Sequence, residues 1–110
     1  MNGFTPLHYA CRKGARDIVK LLLENHADVN MASNTSVTPL HFAAQLGNQE
    51  IIQCLLDAGA LPDKGTNEGV CPIHAAARSG NEHMVDVLIR HGADINARNK
   101  YGETALIINV

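Results

Sequence analysis

The chain has 110 residues, of which 45% are hydrophobic and 18% charged, and its formal net charge is −2. This length predicts one domain, and the hydrophobic fraction excludes wholesale disorder. A slightly acidic chain lacks the basic surface expected of a nucleic-acid-binding protein, and no apolar run approaches the roughly 20 residues needed to cross a bilayer. Only 4% of the residues are aromatic, which favours helices packed through aliphatic side chains over a β-sandwich.

The chain start and the cysteines indicate the compartment. The first six residues contain neither a basic nor an apolar region, so no secretory signal is visible. Cys11, Cys54 and Cys71 are odd in number and widely spaced, which fits neither a disulfide framework nor a zinc site. We therefore expect a cytoplasmic or nuclear protein, unless the chain is a fragment whose signal lies elsewhere.

The sequence repeats itself with a period of 33 residues. Thr-Pro-Leu-His at 5–8 returns at 38–41, then as Cys-Pro-Ile-His at 71–74, and in part as Thr-Ala-Leu-Ile at 104–107. Each full unit also has Ala, Gly, Leu and Ala at the same four later offsets. A fixed period of this length indicates a repeat protein, in which each unit packs only against its neighbours.

Each unit predicts two helices. The first helices are expected at 6–13, 39–46 and 72–79, where Thr5 and Thr38 are suitable N-caps and a proline takes the first helical position. A glycine at 14, 47 or 80 permits the following turn. Second helices are expected at 16–24, 49–57 and 82–90, because apolar residues recur there at helical spacing.

These residues closely resemble the ankyrin-repeat family. The resemblance rests on the Thr-Pro-Leu-His blocks, the glycine after each first helix, the leucine-rich second helices and Gly-Ala-Asp-Ile-Asn at 92–96. It covers residues 1–110 as a single array, with full repeats at 2–34, 35–67 and 68–100 and a partial fourth at 101–110. It implies an all-α solenoid of helix–turn–helix units with projecting β-hairpin loops.

Four departures from the family pattern predict local differences. His26 stands where the pattern has a glycine in the left-handed region, which predicts a strain of about 1 kcal/mol in the first repeat. Ser36 replaces the glycine of the hairpin. Cys71 replaces the capping threonine, at a cost of roughly 1 kcal/mol. Leu-Pro-Asp at 61–63 replaces the usual Asp-Val-Asn type of sequence, so we expect the second loop to depart from regular pairing.

The residues that could carry chemistry have structural explanations. The resemblance implies that His8, His41 and His74 bond the neighbouring threonine and the backbone between repeats. The other histidines are isolated and the cysteines are expected to be small, partly buried thiols, so we expect no metal. Neither an activated nucleophile nor a phosphate-binding glycine loop is visible. We therefore expect no catalytic activity and no cofactor.

The resemblance implies that a protein or peptide partner lies against the concave face, formed by the loop tips and the first helices. Stacking aligns equivalent positions into stripes, and an apolar stripe in an exposed place suggests an interface. The predicted contact residues are Phe4, Val37, Val70 and Glu103 before the helices, Arg12, Lys13, Gln45, Leu46 and Arg78 at the helix ends, and Tyr101 at the rim. Tyr9 and Phe42 are expected to pack in the core or between repeats.

We therefore expect a protein–protein interaction scaffold whose basic residues pair with acidic groups of the partner. A simpler interpretation is that these charges only solvate the face. Two other classes stay open: a regulatory or substrate-docking fragment of a larger enzyme or channel, and a self-associating structural spacer. Asn30 and Asn96, which follow Asp-Val and Asp-Ile, resemble asparagine-hydroxylation sites in ankyrin repeats.

Both ends lack the polar cap that closes a solenoid. Leu106, Ile107, Ile108 and Val110 would leave apolar surface open at the C-terminal end. We expect further repeats, another molecule or self-association to cover these ends.

Overall fold

A computed structural model describes residues 2–108 of the chain. The helices are α1 (Pro6–Lys13), α2 (Arg16–Glu24), α3 (Pro39–Leu46), α4 (Gln49–Asp57), α5 (Pro72–Arg78), α6 (Glu82–Arg90) and α7 (Ala105–Ile108). The predicted bounds agree with these, except that α5 ends one residue earlier, where Ser79 becomes its C-cap. Asn109 and Val110 lie outside the described residues.

The helices form two layers. In one layer the first helices lie side by side, α1 against α3, α3 against α5 and α5 against α7. Each full repeat adds its second helix to the other layer, where α2 packs on α1 and on α4. The alanines Ala10, Ala43 and Ala76 are buried at equivalent positions of the first helices, and their small side chains let neighbouring helices approach closely.

The core is thin and repeats with the sequence. Leu7, Leu40 and Ile73 are buried at the same position of the three first helices. The second helices add their own buried residues, among them Ile51, Leu55 and Leu88. Because each layer is one helix thick, aliphatic side chains suffice to fill the space, and few aromatic residues are needed.

The loops between repeats are tight turns where the resemblance implied β-hairpins. In the first loop the Ser33 N–H donates to the Val37 carbonyl at 2.8 Å and the Ser36 N–H donates to the Ser33 carbonyl at 2.9 Å. No strand occurs between residues 2 and 108. The segment that ends at Val37 cannot continue as a β-strand and form a β-ladder, because Thr38 and Pro39 follow it and begin the next helix.

The second loop is regular, so the predicted departure there is wrong. The Thr66 N–H donates to the Val70 carbonyl at 2.9 Å and the Gly69 N–H to the Thr66 carbonyl at 2.8 Å, as in the first loop. The altered segment finds its own partner, since the Asp63 carboxylate accepts a hydrogen bond from the Asp94 N–H at 2.8 Å. This bond matches the one that the Asn30 side-chain oxygen accepts from the Leu61 N–H one period earlier, so the substitution leaves both the turn and this contact between repeats intact.

The predicted left-handed backbone at His26 is confirmed, and Ser36 adopts the same conformation. His26 has φ 67° and Ser36 has φ 66°, and among the described residues they alone adopt positive φ without being glycine. The left-handed region costs such residues about 1–2 kcal/mol. Ser36 has a partial compensation, because its hydroxyl donates to the Asn67 side-chain oxygen at 2.8 Å.

Candidate interaction surface

The first-turn histidines hold the loops against the helices. His8 Nδ1 accepts from the Thr5 N–H at 3.0 Å, and its Nε2 lies 2.7 Å from the carbonyl oxygen of Val37. His41 repeats the arrangement with Thr38 at 3.0 Å and Val70 at 2.7 Å. Because Nδ1 accepts a backbone N–H, the proton of each neutral ring lies on Nε2. The predicted structural role of these histidines is confirmed.

The third histidine differs in both of its contacts. His74 Nε2 lies 2.8 Å from the carbonyl oxygen of Ala97. The acceptor is therefore not Glu103, which occupies the position equivalent to Val37 and Val70. Its Nδ1 accepts from the Cys71 N–H at 2.9 Å. In the other two units a threonine hydroxyl also lies within 2.9 Å of Nδ1, whereas the Cys71 thiol points to the Asp63 carbonyl at 3.6 Å.

The cysteines are the predicted buried or half-buried thiols. Cys11 and Cys71 are buried, and Cys54 is half-buried. Burial raises the pKa of Cys11 to about 12 and also raises the pKa of Cys71. Such thiols are poor nucleophiles at neutral pH.

The apolar stripe is half-buried rather than fully exposed. Phe4, Val37 and Val70 each keep part of their side chain accessible. The ring of Phe4 packs against Phe42, with centroids 5.2 Å apart, and against Tyr9 at 5.9 Å. Phe4 therefore belongs to an aromatic cluster over α1 and α3.

Phe42 and Tyr9, which occupy equivalent positions, differ in how far they are buried. Phe42 is half-buried and contacts Phe4 of the preceding repeat, which confirms the predicted packing between repeats. Tyr9 is 41% exposed, so its predicted place in the core is wrong. The guanidinium of Arg12 lies 5.5 Å from the centroid of the Tyr9 ring, a cation–π arrangement at the surface.

A groove of about 360 Å³ opens between the first two loops and the helices α3 and α5. Its apolar lining is Val37, Phe42, Val70 and Ala75. The polar lining is Thr35, His41, Gln45, Thr66, Asn67 and Glu68. The structure thus brings together three of the predicted contact residues, Val37, Gln45 and Val70. We refer to this feature as the loop groove.

The loop groove exists because a side chain becomes smaller from one repeat to the next. Tyr9, Phe42 and Ala75 occupy the same position of successive units, 33 residues apart. The rings fill the space over α1 and α3, and the methyl group of Ala75 leaves it open over α5. Phe42 and Ala75 line the groove although they were not predicted as contact residues. The decrease in side-chain size from Tyr9 and Phe42 to Ala75 is the feature of the sequence that could have revealed them.

A second depression adjoins the loop groove. It has a volume of about 430 Å³ and is lined by Arg12, Phe42, Gln45 and Leu46. Phe42 and Gln45 line both features, so they form the wall between them. The predicted contact residues Arg12, Gln45 and Leu46 therefore lie together beside the loop groove.

The basic residues of this face have no acidic partner within the part of the chain that the structure describes. Arg12, Lys13 and Arg78 are exposed at the ends of α1 and α5. The ion pairs found in residues 2–108 involve Arg16, Arg90 and Lys100 instead. Cations at helix C-termini are favoured by the helix dipole, so the three residues also have a structural reason to be there.

The rim residues are engaged within the protein. The Tyr101 hydroxyl donates to Glu68 Oε2 at 3.3 Å, and Lys100 Nζ lies 3.2 Å from the same oxygen. Glu103 accepts from the Asn99 side-chain amide at 2.8 Å. Tyr101 remains 69% exposed, whereas Glu103 stabilises its own loop and does not line the loop groove.

The two candidate hydroxylation sites have different surroundings. The Asn30 amide donates to the Gly59 carbonyl at 3.0 Å, and its oxygen accepts from the Leu61 N–H at 2.8 Å. Asn96 is exposed, and its side chain makes no hydrogen bond within residues 2–108, although its N–H donates to the Asp94 carboxylate at 2.8 Å. Of the two, Asn96 is the one that presents a free side chain.

The described residues contain neither a metal-ligand group nor a membrane-spanning helix. Between residues 2 and 108 no three His, Cys, Asp or Glu side chains group as metal ligands would. Over the same residues no helix has the length and apolar character required to traverse a bilayer.

Stacked helix pairs with a fixed period define this chain as a helical repeat protein. A family model described as "Ankyrin repeats (3 copies)" matches residues 1–65 and 40–110. The chain belongs to the ankyrin-repeat family. Ankyrin repeats are generally protein–protein interaction modules, and domains built from them are typically not catalytic. A comparison with curated proteins finds no match.

Proposed function

We propose that the chain is a non-catalytic scaffold that binds a protein or peptide partner on the face of the loop tips and first helices. The observation that carries this proposal is the loop groove, whose apolar floor lies beside Arg12, an arginine that has no carboxylate partner within residues 2–108. An apolar side chain of the partner would displace water from Val37, Phe42 and Val70.

The charges beside the loop groove favour an acidic partner. Arg12 borders the adjoining depression, and its guanidinium has no carboxylate within the described residues. Lys13 and Arg78 add positive charge to the same layer of helices. We therefore expect the partner's binding segment to carry one apolar anchor for the loop groove. It should also carry an acidic residue near Arg12, about one repeat further along the face. If the chain is a regulatory or substrate-docking fragment of a larger enzyme or channel, the same surface would bind the docked protein.

The proposal is tested by filling the loop groove. Peptides selected from a displayed random library on the 110-residue chain are measured by fluorescence anisotropy against the variant Ala75→Phe. This ring copies Phe42 at the equivalent position and should fold, while it fills the space that the partner needs. Affinity should fall by at least about tenfold, or 1.4 kcal/mol.

Two further variants make the test specific. Arg12→Glu should weaken acidic peptides and leave neutral ones unchanged, because it removes only charge complementarity. Ala58→Phe adds the same ring at an exposed position that lines none of these grooves, and it should bind as the wild type does. Equal binding by wild type and Ala75→Phe would place the site elsewhere. A chain that self-associates in light scattering would support the structural-spacer alternative.

A further inference from the structure

Apolar side chains are open to solvent at the C-terminal end and also inside the array. At the end Leu106 and Ile107 are exposed, as predicted, while the side chain of Ile108 and all of Val110 lie outside the described part. The loop groove lies inside the array, between the first two loops and the helices α3 and α5. Its form therefore belongs to the repeats themselves and can be compared with the equivalent place one period earlier.

The place one period before the loop groove is filled by rings. The positions of Val37, His41, Phe42 and Ala75 are taken there by Phe4, His8, Tyr9 and Phe42. The centroid of the Phe4 ring lies 5.3 Å from that of His8, 5.9 Å from that of Tyr9 and 5.2 Å from that of Phe42. The chain thus shows how an aromatic side chain packs at this position of the repeat.

The loop groove keeps two of these four rings and lacks the other two. His41 and Phe42 are retained, whereas Val37 stands in place of Phe4 and Ala75 stands in place of the second phenylalanine. Beside the rings that remain, a volume of about 360 Å³ is open. A cavity of about 150 Å³ is enough to hold benzene, so the loop groove can accept one ring of a partner.

The retained rings favour an aromatic side chain over an aliphatic one. Phe4 meets Tyr9 edge-on, with the ring planes 87° apart, and it lies against His8 with the planes 32° apart. Such pairs gain free energy beyond that of the area they bury. A partner's ring in the loop groove would meet Phe42 and His41 in these two geometries and would lie over the methyl group of Ala75.

The charges beside the loop groove favour acidic residues on both sides of the ring. Gln45 lines the groove, and the residues at its equivalent position in α1 and α5 are Arg12 and Arg78. Both arginines are exposed, and neither has a carboxylate partner within residues 2–108. The hydroxyl of Ser79, next to Arg78, donates to the Gln45 carbonyl at 2.8 Å, so the ends of α3 and α5 lie side by side.

The spacing of the helices sets the positions of the acidic residues. Packed helices lie about 8–10 Å apart, a distance that an extended chain covers in about three residues. Carboxylates about three positions before and after the ring would therefore reach Arg12 and Arg78. The acidic residue of the groove itself, Glu68, is already paired, because its Oε2 lies 3.2 Å from Lys100 Nζ.

We propose that the loop groove binds an extended acidic segment of a partner protein through one aromatic side chain. The ring enters between Phe42 and Ala75, and the flanking carboxylates pair with Arg12 and Arg78. This inference rests on the proposed function, because it specifies the partner of the same groove. It adds two requirements, a ring in place of any other apolar group and acidic residues on both sides of it.

The probe is the synthetic peptide Glu-Gly-Ser-Phe-Ser-Gly-Glu with acetylated and amidated ends. Two matched peptides carry cyclohexylalanine or leucine in place of phenylalanine, which keeps the anchor apolar and removes the aromatic ring. Binding to the 110-residue chain is followed by NMR of the methyl groups of Val37, Val70 and Ala75. We expect saturable shifts, with an affinity for the phenylalanine peptide at least about threefold higher than for the other two.

A variant of the chain tests the place of the ring. Val37→Phe copies Phe4 at the equivalent position, so it should fold and should place the chain's own ring in the loop groove. The affinity for the phenylalanine peptide should then fall at least about tenfold. Ala58→Phe adds the same ring at an exposed position outside these grooves and should bind the peptide as the wild type does.

Charge variants test the flanking residues. Arg12→Glu and Arg78→Glu should each lower the affinity for the phenylalanine peptide by about two- to fivefold, as expected for exposed ion pairs. Lys20→Glu changes the net charge by the same amount and is the matched control. Lys20 is exposed on α2, in the other layer of helices, and lines neither the loop groove nor the adjoining depression.

The outcomes separate this inference from the proposed function. If all three peptides bind equally well and Val37→Phe weakens all of them, the loop groove takes any apolar anchor, so the inference is wrong and the proposed function stands. Equal binding by Arg78→Glu and Lys20→Glu would overturn the requirement for acidic residues on both sides. A phenylalanine peptide that does not bind also overturns the inference, while the selected peptides and Ala75→Phe decide the proposed function. Equal binding by wild type and Val37→Phe would contradict both.

Discussion

The Nε2 atom of His41 lies 2.7 Å from the carbonyl oxygen of Val70, which belongs to the next repeat. The other ring nitrogen accepts the Thr38 N–H at 3.0 Å. A single neutral ring thus satisfies the N-terminus of its own helix and a loop of its neighbour. Only the tautomer with its proton on Nε2 makes both bonds, so the ring must stay neutral.

We expect the array to lose stability below about pH 6.5. Burial lowers the pKa of His8 and of His41 from the ordinary value of 6.5, and for His41 the charges of His8, His74 and Lys64 lower it further. The unfolded chain therefore binds protons that the folded chain excludes, and the free energy of unfolding falls as the pH falls from 6.5 towards the folded-state pKa. Urea denaturation between pH 5 and 8 measures this.

Exposed histidines provide the control. His83→Gln and His91→Gln remove rings on the surface and should leave the pH dependence unchanged. His41→Gln should flatten it, at the cost of a less stable protein at every pH. A free energy of unfolding that stays constant from pH 8 to 5 would contradict the proposed cause.

His26→Gly should stabilise the protein by about 1 kcal/mol, because it relieves a side chain at φ 67°. Ser36→Gly relieves a similar backbone at φ 66° but removes the hydrogen bond to Asn67, so its gain should be smaller. Chemical denaturation of both variants measures the difference. Equal gains would mean that the Ser36 hydroxyl contributes nothing.

Cys71→Thr should stabilise the third repeat by about 0.5–1.5 kcal/mol, the usual net value of one hydrogen bond. The threonine hydroxyl would reach His74 Nδ1 as the Thr38 hydroxyl reaches His41 Nδ1 at 2.8 Å. Cys71→Ser tests whether the hydroxyl alone is sufficient, and thermal unfolding compares the three chains. If both variants are no more stable than the wild type, the thiol contact with Asp63 is worth as much as the cap.

We propose that Asn96, rather than Asn30, is the residue that an asparagine hydroxylase would modify. Asn96 is exposed and its side chain makes no hydrogen bond within residues 2–108, while both polar atoms of the Asn30 side chain bond the next repeat. Peptide mapping of cell-derived protein should show one added oxygen, about 16 Da, on Asn96. Modification of Asn30 at equal or greater occupancy would show that these bonds give no protection.

The period of 33 residues made most of the fold predictable. Thr-Pro at the start of α1 and α3 and Gly at 14 and 47 determine the ends of these helices, so the bounds required only local chemistry. The left-handed backbone at His26 followed from the same comparison between repeats. The loop groove was harder to foresee, because it depends on an absence: the space left at Ala75 beside Phe42.

Residues at equivalent positions of the repeats show another limit of prediction from the sequence. Glu103 belongs to the stripe by its position, but a bond to Asn99 holds it in its loop. Tyr9 and Phe42 share a position, but Phe42 packs against Phe4 of the preceding repeat and is half-buried. Tyr9 meets Phe4 within its own repeat and stays 41% exposed. Which of two equivalent side chains stays exposed depends on the neighbouring repeat.

The hydrogen bonds that join one repeat to the next also bear on how the chain folds. Within the described residues, those that involve side chains span between 29 and 34 residues, from His8–Val37 to Arg16–Glu50. Each new repeat closes a segment of about this length, wherever it lies in the array, so the entropy lost in closure is nearly the same at every step. Folding can therefore start at any adjacent pair of repeats and spread in either direction.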